Sequence, residues 1–578
     1  MARGQRWTGT GPPALNKLNS KSSLRRACRA IRLFAEAGIS TNALTRRNVA
    51  GFMTSATLWG VTNPISESTI PNDLSFDATK FKEDLVREMT ERDYGTQSFK
   101  RGYKWEWPGA KGYSNTIDSS LTAEPLDAPP PLSDDPKAAY ALKQYSSFFV
   151  LTSPIDVNMF EFLLRDHPNR PFVESVVQGL REGFWPMADL PSEKVSFVKN
   201  HQVCNQAPDL LTKACKEEVE AGRYSEGFHT LLPGMKVSPL LLVAKKGSSN
   251  MRVCTDMSYG KPSLNDHIIK DRIKVSFHSL ISFAPYMVEM AKKGIPLMLW
   301  KSDVQNAYRI LAMALAWQLR QIVCVDNMFH VDRCANFGSA ASPKIWCLFF
   351  SLVLWIARTR MGISRMNNLM DDTWGVAPLS SMVVFKGHQV PLDQAKLLLL
   401  FDVLNIPWEW KKQVHGVYLE IIGHLVRSKE LSFSLPDDKK ANLVMALRTF
   451  TLTKSRSLRN WQSLLGWASW GLNSFPLGRW ALQSSWEKIA GKSHKFLVVP
   501  HNKTVQKDLS WLADCLEKST GNLFLEAVIW SVSEADFLCT ADACPSRLGV
   551  WLPNTVEGFH FALPVPSRDI YWAELAAT

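Results

Sequence analysis

Apolar and polar positions along this chain follow two periods, and the places where a run stops abruptly mark its elements. Ile295-Pro296-Leu297-Met298-Leu299-Trp300 is an apolar run of strand length that halts at Lys301, Ser302 and Asp303. It predicts a strand whose end presents Asp303. Asn367 to Val376 reads as a hairpin with Asp371-Asp372 at its tip and apolar residues on either side. Paired beside the first strand, that hairpin places Asp371 near Asp303. Ile345 to Ala357 is almost wholly apolar for 13 residues between Lys344 and Arg358. A membrane span needs about 20 such residues, so this run predicts a buried core helix. From Leu458 to Gly491, Trp461, Trp467, Trp470, Trp480 and Trp486 join Leu464, Leu465 and Leu472 at roughly helical spacing, which predicts a helical unit with these aromatics in its core.

Shifts in composition divide the chain. Residues 1–118 are basic and weakly periodic, which predicts partial disorder, and residues 119–136 carry Pro125, Pro129, Pro130, Pro131 and Pro136 and read as a linker. Residues 137–222 are mostly helical in pattern, 223–434 hold the strand-and-hairpin region, 435–520 the Trp-rich helices, and 526–578 short strand-like runs followed by a helix start. The expected class is therefore an α/β multidomain protein. No internal repeat is visible at solenoid or propeller periods.

Charge adds a partner class. The 578 residues carry a formal net charge of +13 and a pI near 9.2. That balance suits a polyanion, because neutralising phosphates releases counterions. It is uneven: residues 1 to 50 contain ten Lys or Arg and one acid, Glu36. Ser22 to Ile39 reads either as a basic amphipathic helix or as a basic tail. The ten cysteines form no C-x-x-C pair and have no histidines at zinc spacing, so the pattern indicates neither a disulfide framework nor structural zinc. No secretory signal is visible, and a cytoplasmic or nuclear setting without a membrane partner is expected.

The candidate chemistry lies in the carboxylates. Phosphoryl transfer with two divalent ions needs clustered oxygen ligands, and carboxylates suit Mg²⁺. Asp134-Asp135 and Asp437-Asp438 are also Asp pairs, but polar, proline-flanked surroundings mark them as solvated turns. The apolar flanks of Asp371-Asp372 and the upstream spacing from Asp303 to Tyr308 set the third pair apart.

Those residues carry a family resemblance. Asp303 to Tyr308 is similar to the first catalytic motif of reverse transcriptases, and Met370-Asp371-Asp372 to the second. Ser238 to Asp266 resembles the fingers hairpin of that family, Cys334 to Ala357 its template-gripping turn and long helix, and Phe401 to Arg427 its last palm elements and primer grip. The retroviral pattern has glutamine where this chain has Phe337, and the form Asn336-Phe337-Gly338 looks more like the DIRS-like, tyrosine-recombinase retrotransposons of fungi. The resemblance implies a right-hand polymerase of fingers, palm and thumb. Two Mg²⁺ or Mn²⁺ ions would be held by Asp303 and Asp371 with Asp372 assisting. Lys245, Lys246 and Arg252 would contact the triphosphate, Gly338 would let backbone approach a base pair, and Met370 would support the primer terminus. Lys411 or Lys412 would either protonate departing pyrophosphate or form a plain basic turn.

Tyr308 decides the implied substrate. An aromatic there sits beneath the incoming sugar and leaves no room for a 2′-hydroxyl, so the resemblance implies deoxynucleoside triphosphates, an RNA template and a DNA primer or product. The last segment resembles the opening of a ribonuclease H domain, with Asp542 on its first strand and Glu574 on its first helix, and reads as truncated and inactive. The rival function is a folded, basic nucleic-acid-binding relic of a retroelement that no longer turns over substrate.

Overall fold

The structure is a computed structural model in which residues 79, 82, 83, 120–189, 195–244, 251–273, 275, 283–526, 538–553 and 557–562 are described. It is a mixed α/β chain of antiparallel sheets and helices, divided into two compact units. Among the described residues the larger unit holds 79–442 and 519–526, and the smaller holds 443–518 and 538–562.

In the larger unit β1 (Leu240–Ala244) and β2 (Met251–Thr255) form an antiparallel hairpin in which Val243 lies opposite Arg252. The central sheet takes β3 (Leu297–Ser302), β6 (Met366–Leu369), β7 (Asp372–Pro378) and β10 (Val414–Gly416) in the order β10-β3-β7-β6, each pair antiparallel. Two hairpins interrupt it in sequence, β4 (Ile322–Val325) with β5 (Met328–Val331) and β8 (Met382–Phe385) with β9 (His388–Pro391). A second sheet joins β11 (Tyr418–Ile421), β12 (His424–Arg427), β13 (Ser432–Ser434) and β16 (Asn522–Phe524).

The apolar run at 297–300 is continuous because both faces of the central sheet are covered. Successive side chains on a strand point to opposite faces. Trp300, Met366 and Ala377 join a core with α3 (Ser342–Thr359) and α4 (Leu392–Val403), through Trp346, Phe349, Phe350, Leu398 and Phe401. Leu297, Leu299, Trp374 and Val376 pack the other way, against Met287 and Val288 of α2 (Ala284–Lys292) and against Ile421, Val426 and Phe433. Helix α3 is the buried core helix that its composition predicts, with Pro343 in its first turn, where a missing N–H costs nothing. Each large apolar side chain it buries contributes about 1.5–3 kcal/mol relative to exposure. Among the described residues no helix is long and apolar enough to cross a membrane.

The proline-rich stretch before residue 137 is bound rather than free-running. Asn169, at the start of α1 (Arg170–Glu182), donates from Nδ2 to the carbonyls of Ser120 (3.1 Å) and Ala123 (2.8 Å), and Leu126 N–H donates to Ser175 Oγ at 2.9 Å. Asp135 caps the helix Pro136–Gln144 and pairs with the buried Arg320. Polar, turn-rich composition suggests a linker when the partners lie tens of residues away and cannot be seen locally.

In the smaller unit α5 (Asp437–Phe450), which enters from the larger one, is followed by α6 (Leu458–Gly471), α7 (Gln483–Ile489) and α8 (Lys503–Lys518). The short strands β14 (Ser455–Ser457) and β15 (Val498–Pro500) pair antiparallel beside them. Trp461 is fully buried and donates from Nε1 to the Val499 carbonyl at 3.2 Å. The expected aromatic core holds only in part, because Trp470, Trp480 and Trp486 are 38%, 51% and 43% exposed. The strands β17 (Thr540–Cys544), β18 (Arg547–Leu552) and β19 (Glu557–Ala562) form an antiparallel meander. Asp542 is exposed on β17 opposite Gly549, and Glu574 lies outside the described residues.

Candidate active site

The ladder between β3 and β7 fixes the site. Trp300 lies opposite Gly375, Lys301 opposite Trp374 and Ser302 opposite Thr373. In the β6–β7 hairpin Leu369 pairs with Asp372, so Met370 and Asp371 form a two-residue turn. Met370 has a φ of 58°, in the left-handed region that a residue with a Cβ adopts only when its surroundings hold it there. The two-residue turn imposes it, and the Met370 sulfur meets Tyr308 Oη, which donates to Sδ at 3.9 Å, and Cys347 Sγ at 3.7 Å. The apex thus carries Asp371 toward the end of β3, where Asp303 begins the next loop.

Burial, then the neighbouring charge of Asp303, pushes the Asp371 carboxyl up to about 6, with Asp372 adding to it. Burial also raises Asp303, against the pull of Lys412. Lys412 Nζ lies 3.1 Å from Asp303 Oδ2 and donates to the Val304 carbonyl at 3.4 Å. The other oxygen, Asp303 Oδ1, is buried without a hydrogen-bond partner. Asp372 faces a different cation, with Lys301 Nζ 3.0 Å from its Oδ1. Lys411 is exposed and pairs with Glu409.

Two glutamines hold the backbone behind these acids. Gln394, fully buried on α4, donates to the Lys301 carbonyl at 3.0 Å and to Ser302 Oγ at 3.2 Å. Gln413 donates to the Asp303 carbonyl at 3.1 Å and the Glu409 carbonyl at 3.0 Å. The signal for Gln394 was present in the sequence: a lone amide in the apolar helical run 392–403 is worth burying only if it has partners.

Tyr308 follows Asn306, which is itself in the left-handed region at φ 56°, and is 8% exposed. Burial first, then the nearby Asp371, holds its phenol above the ordinary range. Its ring lies 5.2 Å from that of Phe337, which is half exposed, and the guanidinium of Arg252 stacks over Phe337 at 5.1 Å. The structure therefore sets Arg252 on Phe337 and Phe337 beside Tyr308, a placement that the mismatch of Phe337 to the retroviral glutamine does not announce. Lys245 and Lys246 lie outside the described residues.

Gly338 has a reason of its own in this fold. A Cβ there would meet the Thr255 carbonyl oxygen at 1.7 Å, so the turn packs directly on the end of β2. Asn265 fastens it, donating to the Gly338 carbonyl and accepting from Ala340 N–H, both at 2.9 Å. Next to Tyr308, Arg309 is buried in an ionic network, with Nη1 2.7 Å from Asp332 Oδ1 and Nη2 2.6 Å from Glu218 Oε2. Burial alone would raise Glu218, yet Arg223 and Arg309 bring it down to about 2. This network ties the loop after β3 to the helix Pro208–Glu220 and the strand-end residue Asp332.

The donor set suits a hard divalent cation. The Asp303 charge raises the Asp371 carboxyl, and one Asp303 oxygen is buried without a hydrogen-bond partner, so a positive ion between these two acids would relieve both. Among the described residues no three His, Cys, Asp or Glu side chains gather as a metal-holding group.

No protein-family model and no curated protein matches this chain. Solved structures do show similarity, among them three of the foamy viral protease-reverse transcriptase. The form described as "dRH" in complex with double-stranded DNA matches at 12% identity and a TM-score of 0.43, over 88% of this chain and 72% of that one. The complex with an RNA/DNA hybrid matches at 11% and 0.42, over 87% and 54%, so this chain spans about half of that one. The complex with double-stranded DNA matches at 13% and 0.42, over 85% and 83%.

Proposed function

We propose that the protein is an RNA-directed DNA polymerase of retrotransposon origin, adding deoxynucleotides to a primer on an RNA template. The observation that carries this reading is the meeting of Asp371, at the apex of the β6–β7 turn, with Asp303 at the end of the adjacent strand β3. Two Mg²⁺ or Mn²⁺ ions held by Asp303 and Asp371 would supply charge neutralisation for in-line attack of a primer 3′-hydroxyl on an α-phosphate. The chain's own residues do the positioning. Gln394 and Gln413 fix the backbone that aims Asp303, and the pairing of Leu369 with Asp372 fixes the apex that carries Asp371. Tyr308 forms the floor on which a deoxyribose fits, and Arg252, held over the neighbouring Phe337 ring, meets phosphate. The net charge of +13 supports a nucleic-acid partner.

Primer extension on poly(rA) with oligo(dT) tests the reading directly. Extension with dTTP but not UTP in Mg²⁺, lost in Asp371→Asn while salt-sensitive template-primer binding persists, is the expected result. Full-rate synthesis by Asp371→Asn would overturn the assignment.

A further inference from the structure

Resting on that reading of the site, we infer that Lys301 is a positioning residue that withdraws Asp372 from the cation site, leaving a pocket of two carboxylates rather than three. The sheet register produces this arrangement. Lys301 lies opposite Trp374, and Ser302 opposite Thr373, so continuing the β3–β7 ladder one place sets Asp303 across from Asp372. Lys301 and Asp303 share one face of β3, and Asp372 and Trp374 share the matching face of β7. Lys301 therefore reaches Asp372 on the diagonal, and its Nζ is 3.0 Å from Asp372 Oδ1. Lys301 is only 23% exposed and Asp372 30%, so the pair is shielded enough to hold its geometry.

A second feature agrees. The acids pair with different cations, Lys412 with Asp303 and Lys301 with Asp372, and among the described residues no ion pair joins Asp371. Lys301 thus anchors the foot of the β6–β7 turn through Asp372 while Asp371 stays available at its apex. A two-carboxylate pocket leaves more of the ion's coordination to water and substrate phosphate, as Mg²⁺ sites in phosphoryl-transfer enzymes commonly do.

A double-mutant cycle on the full chain, with Mn²⁺ binding read from loss of the free-ion EPR signal, tests this. Removing the charge of Lys301 shifts affinity by itself, so the readout is coupling rather than any single value. Asp372→Asn is expected to weaken Mn²⁺ binding about tenfold more in the Lys301→Met background, where Asp372 is released, than in the native background. Lys301→Arg, which keeps the pair, should leave the native cost of Asp372→Asn in place. Equal costs in both backgrounds, with Asp371→Asn still abolishing binding, would overturn the inference alone. Mn²⁺ binding indifferent to Asp371→Asn would overturn the site itself and this inference with it.

Discussion

Trp300 and Gly375 face each other across the β3–β7 ladder, and the indole fills the space a side chain at 375 would need. A Cβ there would stand 2.4 Å from Trp300 Cζ2 and 2.5 Å from the Arg365 carbonyl oxygen. The glycine three residues after the Asp-Asp pair is therefore a steric requirement of the sheet that carries the acids. Gly375→Ala should destabilise the protein by about 1–3 kcal/mol, the usual cost of overpacking a filled core. Urea unfolding checks this, and Mn²⁺ affinity should fall in parallel as β7 shifts away from β3. A variant with native stability would mean that Trp300 moves aside freely.

Tyr308 touches the turn through its hydroxyl only at 3.9 Å from a weakly accepting sulfur, while its ring packs on Phe337 and Trp346. Ring volume, not the hydroxyl, should therefore exclude a 2′-hydroxyl. Tyr308→Phe is expected to keep kcat/KM for dTTP within roughly threefold. Tyr308→Val should lower the dTTP-over-UTP preference by about ten- to a hundredfold, the discrimination a hydrophobic wall supplies. Steady-state kinetics with both nucleotides would show it, and unchanged discrimination in the valine variant would remove Tyr308 from the pocket.

Arg309 is the buried cation shared by Asp332 and Glu218. Truncating one member of such a network strands the others' charge, at about 3–5 kcal/mol. Arg309→Met should show that loss in urea melts. The variant Arg309→Met/Asp332→Asn should recover part of it, since one stranded acid is then neutral. A loss under about 1 kcal/mol, the range of exposed pairs, would contradict a buried network.

His167 makes stability depend on pH. Burial first, then the charge of Arg170, holds its imidazole down at about 3 against an ordinary 6.5. Asn169 N–H donates to Nδ1 at 3.1 Å, so Nε2 carries the proton and faces Ser120 Oγ at 3.1 Å. A second proton would have no acceptor. Between the two pKa values the unfolded chain binds a proton that the folded one refuses, so this contribution is complete above pH 6.5 and lost as pH falls toward 3. The slope is at most about 1.4 kcal/mol per pH unit. Urea melts from pH 7.5 to 5 should be flatter for His167→Gln, and equal slopes in both proteins would refute the assignment.

The sequence by itself determined the local terms. An apolar run ending in Lys301-Ser302-Asp303 reads as a strand with an acid at its end because period and length are properties of a few neighbouring residues, and the Asp-Asp tip reads as a hairpin for the same reason. Helix α3 was likewise legible from 13 contiguous positions. Only the tertiary structure decided which cation each acid meets, because Lys412 reaches Asp303 from 109 residues away and Lys301 reaches Asp372 through a register set by the whole ladder. It also decided that Gly338 is demanded by the Thr255 carbonyl, that Gln394 braces the strand end, and that Trp470, Trp480 and Trp486 stand exposed. Periodicity reports which face of an element is apolar. What that face meets, and which charges end up paired, follows from packing between segments distant in sequence, and no local pattern encodes it.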